Sequence, residues 1–495
     1  MLAGIQPRLG TAGSQAGDII INATGGFRLT GQGVFNVVQG ESNAGNIIID
    51  VGTLTVTNGA ELTSSTFGQG DAGNVAIIVR DTATFDGVGR NGRSSGARSQ
   101  VQPNAVGKGG TLTLNVGTLN VTNGAQLNSS TLGQGDAGNV AITVRDAATF
   151  DGVDSNGNSS SAATQVAPSA VGKGGMLTLN VGTLNVTNGA QLNSSTFGQG
   201  DAGNVAITVR DAANFDGVGS NGSPSAARSK VEPDAVGKGG TLTLTAGTLN
   251  VTNGAELTSS TSGQRDAAGN IVLRVRDTIQ VTNGSISTFS LFTNGGSIDI
   301  AAKAIRLSGN SDILTNVVID AGVGGNITLS ANSIIALGDS DILAFAQDGR
   351  GGNITLNTRA FFGQNYRPGS LPPWDNNDRV DINASGTISG TISIPDVSFI
   401  QNGLNQLPKS AIDTEKLVSQ TCIVRKDKPQ GTFYILGKTN LPQRPGDLIP
   451  SNYSTQEPII QTANKPWQKG DPIVEPTGFY KLANGRLVMS RECDR

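Results

Sequence analysis

Histidine is absent from the 495 residues. Its absence excludes Ser-His-Asp and Cys-His catalysis and the commonest zinc sites. Cysteine occurs only at Cys422 and Cys493, both late in the chain. One disulfide is compatible with export, and two free thiols are an equal alternative. Aromatic residues make up 4% and charged residues 15%, too few aromatics for a conventional globular enzyme of this length. No apolar run is long enough to cross a membrane as a helix. Met1–Arg8 is not followed by the apolar core of a signal peptide. With a net charge of −3 there is no basic excess, so nucleic acid is not an expected partner.

Glycine is abundant, at 69 residues, and it is periodic. The stretch Val51-Gly-Thr-Leu-Thr-Val-Thr-Asn-Gly-Ala-Glu-Leu62 returns at Val116, Val181 and Ala246, each time 65 residues on. A fixed long period of this kind marks a repeat architecture. Within it, a marker glycine opening an alternating apolar run recurs from Gly17 to Gly352, in steps of 27–29 or 37 residues. The basic unit is therefore about 28 residues, and the 65-residue period joins one plain unit to one with nine extra residues.

A plain unit reads as three strands, 46–50, 53–57 and 60–64, each alternating apolar and polar residues as a half-buried strand does. Asn58-Gly59 takes φ > 0 cheaply and turns a corner. No helical period is present over 10–360. Three strands per 28-residue unit predict an all-β, right-handed parallel β-helix of about 12 rungs over 1–360. At about 4.8 Å per rung it would run roughly 55–60 Å. Leu54, Val56, Leu62, Leu119, Val121 and Leu127 are expected to face inward. Propeller blades fit badly, because they need about 40–45 residues and antiparallel hairpins. Residues 361–395 read as a transition or last partial rung. Residues 396–495 read as a small C-terminal capping region, with a short helix over Asp413–Ser419 and a hairpin around Asn484-Gly485.

The extra residues are expected near Gly87–Ser95, Gly152–Ser160 and Gly217–Ser225. In a regular stack they leave one corner as a row of three loops, two rungs apart. Loops sharing an edge are the usual place for binding chemistry. The candidate binding residues are Arg90, Asn91, Arg93, Asp154, Asn156, Asn158, Ser220, Asn221 and Ser223.

The alternation of Gly-Asp-Ala-Gly-Asn-Val with Gly-Thr-Leu-Asn-Val-Thr-Asn-Gly-Ala-Gln-Leu resembles the stem of cyanobacterial filamentous haemagglutinin-like proteins of the two-partner secretion route. The tail is similar too, at Val397–Pro408, Cys422, Gly431–Gly437 and Asn440–Gly446. The resemblance implies a right-handed parallel β-helix and adhesion at the cell surface or after secretion. It also implies an outer-membrane β-barrel transporter as partner, with other cells or surface glycans as targets. The sequence contains no stretch like the family's N-terminal secretion domain.

Other chemistry is less well served. Gly70-Asp-Ala-Gly-Asn74 supplies one Asp per corner, far short of the six to eight oxygens of a calcium site. No metal site and no cofactor is expected. Polysaccharide lyases and hydrolases need a unique cluster of acids and bases. Here Arg80-Asp81, Arg145-Asp146 and Arg210-Asp211 repeat, as a structural charge ladder would, so catalysis is the weaker alternative. A flat crystal-binding face of Thr53, Thr55, Thr82, Thr84, Thr118 and Thr183 is interrupted at Ala147, Asn120 and Asn185.

Overall fold

The computed structural model describes residues 13–263, 267–319, 322–366, 376–395, 418–424, 459–461, 475–482, 484–485 and 487–492. The chain forms two compact units, Met1–Val397 and Ser398–Arg495.

The first unit is all-β and parallel β-helix-like, with no helix among the described residues. Its strands belong to two long sheets, one of 19 strands and one of 12. The pairing rule is the same throughout: each strand lies parallel to its counterpart one repeat later. Ile47–Val51 pairs with Val75–Val79, and Leu62 with Ala97, which pairs with Leu127. The 12-stranded sheet collects the third strand of every repeat, from Gly33–Val38 to Ile382–Asn383.

The first two expected strands of a repeat are not always separate. They run as one in Val75–Asp86, Leu112–Thr122, Val140–Asp151 and Leu177–Thr187. The corner between them is a register shift, between Val79 and Thr82 or Val144 and Ala147, and not a turn. A single extra residue bends a strand without ending its ladder.

Every second side chain points into one continuous core. Leu54, Val56, Leu62, Leu119, Val121 and Leu127 all lie there, fully buried, as the alternation predicts. The largest fully buried side chains are Phe85, Phe150 and Phe215. They stand in register with Val56, Val121, Val186 and Val251, so large and small residues alternate along the stack. Alternation of size lets neighbouring layers interdigitate without voids.

The marker glycines form a second column. A Cβ on Gly73, Gly110, Gly138, Gly175, Gly203 or Gly240 would meet the carbonyl oxygen of the preceding marker glycine closer than 3.0 Å. The backbones of successive coils therefore touch at this corner, and only hydrogen fits between them. The column continues to Gly390, which stacks on Gly352, and Ile392-Ser393 pairs with Ile354-Thr355. Beside it runs a buried hydroxyl ladder. Ser64 donates to Gly45 O at 2.7 Å, Ser99 to Gly73 O at 2.7 Å, Ser194 to Gly175 O at 2.8 Å and Ser229 to Gly203 O at 2.6 Å. These hydroxyls satisfy carbonyls that the corner removes from the sheets.

The polar residues of the Gly-Asp-Ala-Gly-Asn corner act one coil on. Asn74 Oδ1 accepts the Thr111 N–H at 2.8 Å, Asn139 that of Met176 at 2.8 Å and Asn204 that of Thr241 at 2.7 Å. Asp71 and Asp136 do the same for Lys108 at 2.8 Å and Lys173 at 2.9 Å. Asp18 serves Asn46 in this way at 2.8 Å, so either side chain fills the role. Asn204→Ala should cost about 1 kcal/mol, the net worth of one such bond. Asn204→Asp should recover most of it. Denaturation midpoints of the three chains check this, and equal midpoints for the Ala and Asp variants would refute it.

The second unit contains a four-stranded sheet in the order Ile459–Gln461, Val418–Val424, Leu487–Glu492, Gly478–Lys481. The hairpin expected around Asn484-Gly485 is present, with Phe479 opposite Met489. The helix expected over Asp413–Ser419 is not supported at its end, because Val418 and Ser419 begin a strand. Residues 413–417 lie outside the described residues. Cys422 pairs in register with Gln461 and Arg491. Cys493, and with it the disulfide expectation, lies outside the described residues.

Candidate functional site

Paired positions locate the nine extra residues of the longer repeats. The offset is 28 at Ile47↔Val75, 29 at Leu54↔Ala83, 35 at Leu62↔Ala97 and 37 at Gln69↔Val106. One residue therefore enters at the Arg80-Asp81 corner, six within Gly87–Ser95 and two at the last corner. The expectation that all nine leave from one place is corrected to six of nine. Periodicity gives the length of an insertion but not where strand pairing resumes.

Each six-residue insertion is a small hairpin. Val88 bridges Ser94, Val153 bridges Ser159 and Val218 bridges Pro224, all antiparallel. The tips are β-turns closed by Gly92 N–H to Gly89 O, Gly157 to Asp154 and Gly222 to Gly219, at 2.9–3.0 Å. A glycine with φ between 76 and 84° ends each turn. The bases are fixed by one serine. Ser95, Ser160 and Ser225 each donate to the carbonyl of the aspartate opening the hairpin, at 2.7–2.8 Å. The same hydroxyls accept the N–H of Gly59, Gly124 and Gly189 on the adjoining plain coil, at 2.8–2.9 Å.

The hairpins meet one another. Asn221 Nδ2 donates to Gly157 O at 2.7 Å, and a Cβ on Gly92 would lie 4.0 Å from Asn156 Nδ2. They form one strip along one corner of the stack. Arg90, Asn91, Arg93, Asn156, Asn158, Ser220 and Asn221 are exposed on it, and Ser223 is half-buried. Asp154 is different. It is buried, and its carboxylate accepts the N–H of Asn156 and of Asn158, both at 2.8 Å, and Asn158 Nδ2 at 2.9 Å. It holds the hairpin together and is not presented to a partner. Asn91 and Asn221 accept the N–H two residues on, from Arg93 at 3.1 Å and Ser223 at 2.9 Å. Arg93 also reaches Glu61 Oε2 at 3.3 Å, and Arg98 lies 3.6 Å from the same carboxylate. Burial lowers the Arg98 guanidinium from its ordinary value, opposed by Glu61 and reinforced by Arg93.

The repeated Arg-Asp pairs lie on a different corner. Arg145 and Arg210 pair with the adjacent Asp146 and Asp211 at 3.0 and 2.9 Å. Arg80 instead pairs with Asp50, one coil back, at 2.5 Å. The hydrogen bond and charge of Asp146, with a further pull from Asp81, hold the Arg145 guanidinium above its ordinary pKa. Gly117 and Gly182 lie under the guanidinium groups of Arg145 and Arg210. Asn185, read as an interruption in a threonine face, belongs to an amide ladder along the stack, in which Asn250 donates to Asn214 at 2.7 Å and Asn214 to Asn185 at 2.9 Å.

Two features escape the sequence reading. Asp341 and Asp381 are fully buried next to each other near the end of the stack. Their spacing of 40 residues matches no repeat step. An open cavity lined by Arg210, Arg274, Arg276 and Lys303 marks the other. The second arginine of Ile271-Val-Leu-Arg-Val-Arg276 is the signal that would have found it. Among the described residues, no group of three or more Cys, Asp or Glu is placed to hold a metal ion. Comparison with protein-family models, curated proteins and solved structures finds no match.

Proposed function

We propose that this chain is a non-catalytic, adhesin-like stem: a right-handed parallel β-helix of about twelve three-stranded rungs, exported to the cell surface or secreted. The resemblance of its repeats and tail to filamentous haemagglutinin-like exoproteins supports this reading, and so does the economy of its interior. The acidic and amide side chains of its Gly-Asp-Ala-Gly-Asn corners are engaged in holding coil to coil. In this reading the export partner is an outer-membrane β-barrel transporter, and the targets are other surfaces or their glycans.

The observation that carries the proposal is the strip of three hairpins, the second and third joined by the bond from Asn221 to Gly157. Hairpins on a rigid repeat scaffold present side chains at fixed spacing, about two coils or roughly 10 Å apart. Many weak contacts on such a strip add through multivalency.

Each hairpin has a plain counterpart one coil away, so it can be shortened to that corner in register. Replacing 87–95, 152–160 and 217–225 with the Asn-Gly-Ala of the plain corner restores the short repeat. Beads carrying the altered chain should lose most of their attachment to cells or to a glycan array, while circular dichroism and the melting transition persist. Undiminished attachment would refute the proposal. So would release of reducing sugar from a polysaccharide by the intact chain.

A further inference from the structure

The Arg-Asp corner changes character once along the stack. From Arg80 to Arg210 it alternates glycine with a single arginine followed by aspartate. At 271–277 the counterpart of Val205-Ala-Ile-Thr-Val-Arg-Asp211 carries two arginines, with Arg274 in register with Thr245 and Thr208. The next coil adds Lys303 at the same corner, and on the coil before them Gly247 lies under the Arg276 guanidinium. The result is an open cavity of about 570 Å³ walled by Arg210, Arg274, Arg276 and Lys303. Its floor is apolar, formed in part by Val275, Ala301 and Ala302. Asp211, Asp299 and Asp277 pair with the three arginines. Among the described residues no carboxylate pairs with Lys303.

We propose that this cavity binds a uronic-acid polysaccharide. The cations suit a carboxylate, and Arg210 already holds one through Nε at 3.1 Å and a terminal nitrogen at 2.9 Å. Arg210 and Arg276 are about two-thirds exposed in these pairs. Exposed pairs of this kind contribute little, so a ligand carboxylate can displace an aspartate at small cost. The apolar floor suits the carbon–hydrogen face of a pyranose ring. Arg274, on the strand Ile271–Val275, and Arg276, just past its end, are two residues apart, and Lys303 is one coil away. The backbone positions that carry these charges are thus spaced on the scale of successive sugar units, about 5–7 Å. The site lies at the corner between first and second strands, away from the hairpins, which leave the corner before the third.

The test is calorimetric titration of the full chain with an oligogalacturonate and with a neutral maltooligosaccharide of equal length. The acidic oligomer should bind, more weakly as salt rises, and the neutral one should not. Arg276→Gln/Lys303→Gln should weaken binding on the order of tenfold, as loss of about 1.4 kcal/mol does. Arg80→Gln/Arg145→Gln, on the same column outside the cavity, should change it less than about twofold. Absence of binding, equal binding of the neutral oligomer, or equal loss in the two double variants would each overturn the assignment. The chain with shortened hairpins should keep full affinity; loss there would move the site to the hairpin strip. Attachment through the hairpins and binding in the cavity thus fail independently.

Discussion

Gly138→Ala will destabilise the stack by more than about 3 kcal/mol, among the largest effects expected of a single methyl group. The added Cβ would lie closer than 3.0 Å to the Ser129 hydroxyl and closer still to the backbone carbonyl of Gly110. A side chain can rotate away, but a carbonyl held between two coils cannot. The coils must separate at this corner, and the inter-coil bonds from Leu112 N–H to Asn139 O and from Gly109 N–H to Asp136 O go with them. The cost is steric and not conformational, because Gly138 is not among the glycines with positive φ. Two controls isolate the cause. Gly25→Ala adds a methyl group with no atom within 4 Å and should change stability by less than about 0.5 kcal/mol. Combining Gly138→Ala with Ser129→Gly removes the hydroxyl but leaves the carbonyl, so it should not restore stability. Stacked repeats need not unfold in one step. Amide exchange on the coils flanking residue 138, together with the denaturation midpoint, is therefore the measurement. Normal protection there would show that the coils are less tightly apposed than described.

The second large effect is one of pH. Asp341 and Asp381 are both fully buried. The Asp381 N–H donates to Asp341 Oδ1 at 2.8 Å, while Asp341 Oδ2 and Asp381 Oδ1 have no partner. Burial, then the charges of Asp312, Asp381 and Asp339, push the Asp341 carboxyl up to about 8, against the pull of the Asp381 N–H. Arg379 is the cation of the cluster, bound to Asp381 Oδ2 at 3.0 Å. A carboxyl raised on folding binds its proton more tightly in the folded state. Its contribution is complete below about pH 3.9, the unfolded value, and is lost as pH rises towards about 8. Wild-type stability should therefore fall relative to Asp341→Asn across that window, by at most about 1.4 kcal/mol per pH unit. Asparagine keeps the shape of the protonated acid and offers an N–H to Asp381. The variant should match wild type near pH 4 and melt clearly higher at pH 8. Taking the difference between the two chains cancels the ordinary carboxylates elsewhere. Parallel melting curves over pH 4–9 would rule the effect out.

Much of this was legible residue by residue. Leu54, Val56, Leu62 and their counterparts alternate with polar neighbours and all lie in the core. Asn58, Asn123 and Asn188 precede glycines and take φ between 53 and 56°, as an Asn-Gly corner requires. The hairpins leave where composition placed them. The candidate site was less legible. Asp154 looks like its exposed neighbours in the sequence, yet its carboxylate is turned inward to hold two backbone N–H groups. Arg80 stands beside Asp81 but pairs with Asp50.

By itself the sequence determined the period, the alternation and the glycine at every tight corner. These depend on one coil and the copy of it that follows, and a repeat writes both in the same words. Only the tertiary structure decided how nine extra residues divide into one, six and two, which aspartate each arginine meets, and that two acids 40 residues apart share a buried corner. Those outcomes depend on which residue of one coil comes to lie beside which residue of the next. Register after an insertion is set by where pairing resumes in three dimensions, and no local pattern records it.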